Sequence, residues 1–183
     1  GLHEATGGTF SNVTINAADF RQAGTTAFNS VFNNGNITTD AAGTLNWNGG
    51  VNGSSNANNP AAAASLIVNG VLNVQSWINR GDVTINSAGV LNNSGTINQG
   101  LSSIVNEGTI TIVDGGTLNT PVGAAQTTLE MRGGSLLNNG AITGTVNVYN
   151  GALASGNGTY DDVTLNLGGM FSPGDGVGTA TTD

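Results

Sequence analysis

The chain has 183 residues, no cysteine, one histidine (His3) and only three cations, Arg21, Arg80 and Arg132, against 11 acids, for a formal net charge of −8. That balance excludes a phosphate-reading surface, because nucleic-acid affinity rests on Lys and Arg, and it disfavours anionic lipid for the same reason. The lack of Cys excludes disulfides and thiolate metal sites, while 37% apolar residues in short alternations argue against disorder.

Strand-like alternation begins at Val13-Thr14-Ile15 with Phe20. Residues 17–34 place Phe20, Ala23, Ala27, Phe28, Val31 and Phe32 at spacings that would suit an amphipathic cap helix. Thr25-Thr26 favour a strand, however, and Phe32 heads a turn, so an elongated coil is expected. That turn, Phe32-Asn33-Asn34-Gly35-Asn36-Ile37, is the first copy of a recurring phrase: apolar residue, Asn, any residue, Gly, any residue, then Ile or Val. Residues 49–65 are polar and then Ala-rich, and read as a loop leaving the wall, with Asn59 and Pro60 starting one short helical turn. The phrase returns as Ile78-Asn79-Arg80-Gly81-Asp82-Val83, Val105-Asn106-Glu107-Gly108-Thr109-Ile110 and Leu137-Asn138-Asn139-Gly140-Ala141-Ile142. A copy one residue longer is Leu91-Asn92-Asn93-Ser94-Gly95-Thr96-Ile97.

Asn and Gly tolerate positive φ and turn the chain between strands. Gly35, Gly81, Gly108 and Gly140 are therefore expected at positive φ or in crowded corners. Asn33, Asn79, Asn106 and Asn138 are expected to stack and to hydrogen-bond from coil to coil.

A second pattern interlocks with the first: two apolar residues flanking any residue, then a third apolar residue seven or eight positions after the first. It gives Val83, Ile85 and Leu91; Ile110, Ile112 and Leu118; and Val163, Leu165 and Phe171. Looser copies are Leu129, Met131 and Leu136, and Val146, Val148 and Leu153. Period two is β rather than helical. The unit reads as strand, corner, strand, then the Asn-x-Gly turn. Unit starts at 110, 129, 146 and 163 are too far apart for hairpins along the whole chain. The expectation is an all-β, single-stranded parallel β-helix, a β-solenoid of right-handed sense. Residues 1–183 would form one domain of roughly eight coils, each rising about 4.8 Å.

These residues resemble a known family. The Asn-x-Gly-x-Ile phrases and Gly-x-Leu-Asn corners look like the haemagglutinin and autotransporter-passenger β-helix repeats of bacterial surface proteins. The run Gly168-Gly169-Met170-Phe171-Ser172-Pro173-Gly174-Asp175-Gly176-Val177-Gly178-Thr179 is similar to a phrase of autotransporter-associated repeats. Secreted proteins with a Pro-Glu-Pro C-terminal sorting signal share it. The resemblance implies a secreted protein of a bacterial cell surface or matrix.

Some parallel β-helices cleave pectin, which needs clustered carboxylates and a cation acting on the uronate. The nearest candidate is the adjacent pair Asp161-Asp162, whose side chains would point to opposite faces of a strand unless one of them lies in the turn. No catalytic or cofactor-binding residue is expected, and the chain is not read as an enzyme. For metal, Asp161, Asp162 and Asp175 are the candidates, with Asp40, Asp82 and Asp114 also near corners. None belongs to a tandem calcium nonapeptide, so at most weak Ca²⁺ binding is expected. A threonine array for ice binding is not regular enough, since Thr14, Thr84 and Thr164 stand singly. Trp47, Trp77 and Tyr149 are expected to pack in the core or wall rather than to stack on sugars.

The expected function is structural or adhesive. Strand-like sequence at Val13-Thr14-Ile15 and at residues 177–181 predicts open edges, and so end-to-end stacking into filaments or contact with adjacent coils of a longer parent. Surface glycans are the other expected partner; nucleic acid and membrane insertion are not expected. The alternative is a carbohydrate-binding or carbohydrate-cleaving β-helix with the 49–65 loop and Trp47 at a groove edge.

Overall fold

The structure, a computed structural model, describes residues 2–53, 64–100, 103–119 and 129–174. Among these residues every regular element is a strand, and 16 strands join one sheet that winds through about 8 turns as a β-solenoid. The pairings are parallel, each strand inside the stack lying against its equivalent in the coil before and the coil after.

Each coil has three walls, not the two that the apolar spacing predicts. In the first wall Thr26, Leu45, Leu72, Leu91, Ile110, Leu136, Ala154 and Phe171 form one column. The second carries Ile97, Leu118, Ile142 and Tyr160. The third carries Leu66, Val83, Ile104, Leu129, Val146 and Val163, so successive coils are 17, 21, 25, 17 and 17 residues long. Ile110, Ile112 and Leu118 thus span the first and second walls, whereas the other triplets run from the third to the first.

The Asn-x-Gly phrase marks all three kinds of corner. Gly35 and Gly81 lie between the second and third walls, Gly108 between the third and first, and Gly95 and Gly140 between the first and second. At three of these corners the Asn side chain points inward and its Oδ1 accepts the glycine N–H two residues on, Gly35 N–H donating to Asn33 at 3.0 Å, Gly95 to Asn93 at 3.1 Å and Gly140 to Asn138 at 3.1 Å. At the Gly108 corner, by contrast, Asn106 Oδ1 is buried and accepts no hydrogen bond among the described residues. The apolar residue before the Asn consequently faces out, and Phe32, Ile78 and Leu137 are exposed while Asn33, Asn79 and Asn138 are buried.

The expected ladder forms where successive coils repeat one corner. Asn33 Nδ2 donates to Asn52 Oδ1 at 2.7 Å, Asn52 to Asn79 at 2.8 Å, and Asn79 to Gln99 Oε1 at 3.0 Å, all buried. Asn106 and Asn138 sit at other corners and reach backbone instead, Asn138 donating to the Thr159 carbonyl at 2.9 Å and Asn106 to that of Gly108 at 3.2 Å. The expected positive φ does not occur at Gly35, Gly81, Gly108 or Gly140. For the last three the second expectation holds: an added Cβ would collide with backbone carbonyls of neighbouring segments, those of Ala64, Gly89 and Gly116.

Between the walls lies a continuous apolar core. At one end it is aromatic: Phe28 meets Trp47 edge-on with centroids 5.3 Å apart, and Trp47 and Trp77 lie 5.2 Å apart. Two expected core positions move outward. Leu165 is exposed, and Ala154 rather than Leu153 fills the first wall. The 49–65 loop is narrower than expected, because Thr44–Asn52 is strand to its end and Ser65 begins the next; Asn59, Pro60 and residues 61–63 lie outside the described residues. Residues 17–34 fall within the strand Thr14–Thr39, as the elongated coil predicts.

Tyr160 packs edge-on against Phe171 and donates its hydroxyl to the Ser155 carbonyl at 2.7 Å. Burial raises its pKa above the ordinary phenol value. A phenol harder to ionise in the folded chain contributes stability that is complete below the unfolded pKa and lost as pH rises toward the folded one. Stability should therefore fall as pH climbs above about 10, and Tyr160→Phe should flatten that fall. Urea midpoints across the alkaline range check it.

Candidate functional site

The sequence candidates do not converge. Asp161 and Asp162 are both exposed at an irregular corner, where each holds the preceding coil: Asp161 accepts from the Gly144 N–H at 3.3 Å and Asp162 from Thr145 Oγ1 at 2.9 Å. They do not point to opposite faces as a regular strand would require, because the register shifts there. Asp175 lies outside the described residues. Asp82 and Asp114 are exposed, and among the described residues no three His, Asp or Glu side chains gather as a metal site. Trp47 and Trp77 are fully buried, which removes Trp47 as the edge of a sugar groove, and Tyr149 is half-buried.

What the fold does assemble is a polar groove along the corner between the third and first walls. One residue per coil occupies it, each placed by donating its backbone N–H to the coil before. Asp40 donates to Gln22 at 2.8 Å, Asn69 to Thr39 at 3.2 Å, Asn86 to Val68 at 3.0 Å, Glu107 to Ile85 at 2.8 Å and Arg132 to Asn106 at 2.9 Å. Their side chains therefore stack at the coil spacing of about 4.8 Å. Arg21, Asp40, Asn69, Asn86 and Glu107 line a cleft of about 780 Å³, with Ala23, Ala41, Ala42 and Ala88 also lining it.

The groove's polar groups are partly engaged. Arg21 Nε bonds Asp40 Oδ1 at 2.8 Å, and Asn86 Nδ2 donates to Asn69 Oδ1 at 2.6 Å. The Arg21 guanidinium is held charged by its hydrogen bond to Asp40 and the charge behind it. Beyond Glu107, Arg132 bonds Glu130 at 2.6 Å. Sequence reading singled out only Asp40 here. The available signal was positional: each groove residue directly follows an inward-facing pair, as Asn69 follows Leu66 and Val68 and Asn86 follows Val83 and Ile85.

Fold and groove together define a three-walled parallel β-solenoid with a polar corner. Compared with known proteins, the chain matches no family model, no curated protein and no solved structure.

Proposed function

We propose that the chain is a structural or adhesive β-solenoid of a bacterial surface or extracellular matrix, a stiff acidic rod that extends by stacking end on end. The observation that carries this reading is the pairing of the outermost strands. Among the described residues, Leu2–Ser11 pairs only with Thr14–Thr39, Thr159–Leu165 only with Ala141–Val148, and Met170–Pro173 only with Leu153–Gly156. Residues 175–183, where the sequence predicts a further strand, lie outside the described residues. The described solenoid thus ends at both sides in strands of the first and third walls whose outer edge meets no other described residue, with strands running in the same direction. Apolar groups accompany them, with Leu2 exposed at one end and Leu165, Leu167 and Met170 at the other.

Such edges are templates for another strand. A second copy, or the next coil of a longer parent, would continue the register. Phe171 would then fall in the column that begins at Gly8, the partner of Thr26. The net charge of −8 favours a partner that carries no phosphate backbone. The resemblance to surface-protein repeats supports a secreted location.

Light scattering and negative-stain microscopy over a concentration series test the reading. Rods that lengthen with concentration are expected, and Leu165→Lys with Leu167→Lys should hold the chain as monomers. Compact monomers of the wild-type chain at high concentration, with both ends covered by ordered structure, would sink it.

A further inference from the structure

We propose that the groove between the third and first walls binds an extended, neutral oligosaccharide lying along the solenoid axis. This deepens the adhesive half of the function proposed above by naming a ligand class and a surface. Five successive coils contribute to the groove, from Arg21 through Glu107, so four steps of about 4.8 Å give a track of about 19 Å. A pyranose chain advances by a similar step, and its hydroxyls can meet one coil after another.

The chemistry of the lining selects hydroxyls. With Asn86 Nδ2 committed to Asn69 Oδ1, Asn69 keeps its amide donor and Asn86 its carbonyl acceptor for a ligand. Asp40 has Oδ1 engaged by Arg21, which leaves its second carboxylate oxygen to accept. Alternating donors and acceptors suit groups that both give and take a hydrogen bond. Alanines flanking these side chains leave room for a ring to approach. Two carboxylates in the groove, on a chain of net charge −8, repel uronates and sulfated sugars. A peptide strand has no backbone edge to join here, since the N–H groups of Asp40, Asn69, Asn86 and Glu107 are spent between coils. Side chains must therefore do the reading.

Calorimetric titration of the full chain with cellohexaose, xylohexaose, chitohexaose and trigalacturonate tests the proposal. Saturable binding of at least one neutral hexasaccharide is expected, with none of the uronate. Asn69→Ala with Asn86→Ala should weaken it about tenfold, the share of one or two lost hydrogen bonds, at an unchanged melting temperature. Asn98→Ala with Asn119→Ala, which breaks an exposed pair on the second wall, should leave affinity alone. No heat with any neutral sugar, equal binding by the groove variant, or preference for the uronate would each overturn it. The filament assay reads other surfaces. A monomer that binds sugar refutes stacking and keeps the groove, and a filament that binds none does the reverse.

Discussion

Asn52→Leu should unfold the chain at markedly lower denaturant and temperature than the wild type. Asn52 is fully buried in the middle of the amide ladder, accepting from Asn33 and donating to Asn79. Leucine fills a similar volume but leaves the Asn33 amide and the Asn79 carbonyl facing an apolar group. A buried polar group stripped of its partner costs about 1–3 kcal/mol, so two such groups imply a loss of about 3 kcal/mol or more. For a chain of this length that is on the order of 10 °C in melting temperature. A sharper version is Asn52→Asp. Its carboxylate can still accept from Asn33 but meets the Asn79 carbonyl oxygen as a second acceptor, so burial and repulsion raise its pKa above the unfolded value of about 3.9. The protonated acid can donate to Asn79 as the amide did. Stability of that variant should therefore be greatest below the unfolded pKa and decline as pH rises through the folded one. Urea midpoints from acid to neutral pH would show it. A variant as stable at neutral pH as the wild type would mean that the ladder contributes nothing.

The ladder also marks where sequence reading stops. Alternation at Val83 and Ile85, or Leu129 and Met131, reports strands whose inward positions are apolar, and these are core as expected. The second wall escaped because its inward residues Ile97, Leu118 and Ile142 each stand between two close corners, too short a run for period two to register. At the corners polarity misleads. Hydropathy alone would bury Phe32, Ile78 and Leu137 and expose the Asn that follows each. The reverse holds because the inward Asn33 and Asn138 satisfy backbone groups that turning the chain leaves without strand partners, and Asn79 is held between the amides of Asn52 and Gln99. The groove was illegible for another reason. Asp40, Asn69, Asn86 and Glu107 differ in chemistry and lie 17 to 29 residues apart, and only the register of the third wall brings them into line. Asp161 and Asp162 show the converse: adjacency in sequence drew attention to a pair whose carboxylates each tie down the neighbouring coil.

Gly108→Ala should destabilise the chain more than Gly115→Ala, although Gly115 is the one with the conformation that disfavours side chains. Gly115 has φ +78°, and a Cβ there would meet nothing within 4 Å. Its replacement carries only the strain of a left-handed residue, about 1 kcal/mol. Gly108 lacks a positive φ, yet its Cβ would run into the carbonyl oxygens of Gly89 and Asn86 and lie 3.0 Å from Ile85 Cγ2. None of these is the far end of a flexible side chain. The Gly89 carbonyl also accepts the Thr109 N–H at 2.9 Å, so a coil displaced to admit the methyl group stretches a bond that holds the two coils together. Ile110 follows in the same strand as a buried core residue, and its contacts would loosen with it. Overpacking of this kind costs about 2–3 kcal/mol, and Gly108→Val should cost more because both γ-methyl groups enter the same gap between coils. The expected order of denaturation midpoints is wild type, Gly115→Ala, Gly108→Ala, Gly108→Val. If Gly108→Ala proved the milder of the two alanine variants, backbone φ rather than the spacing between coils would be what glycine protects at these corners.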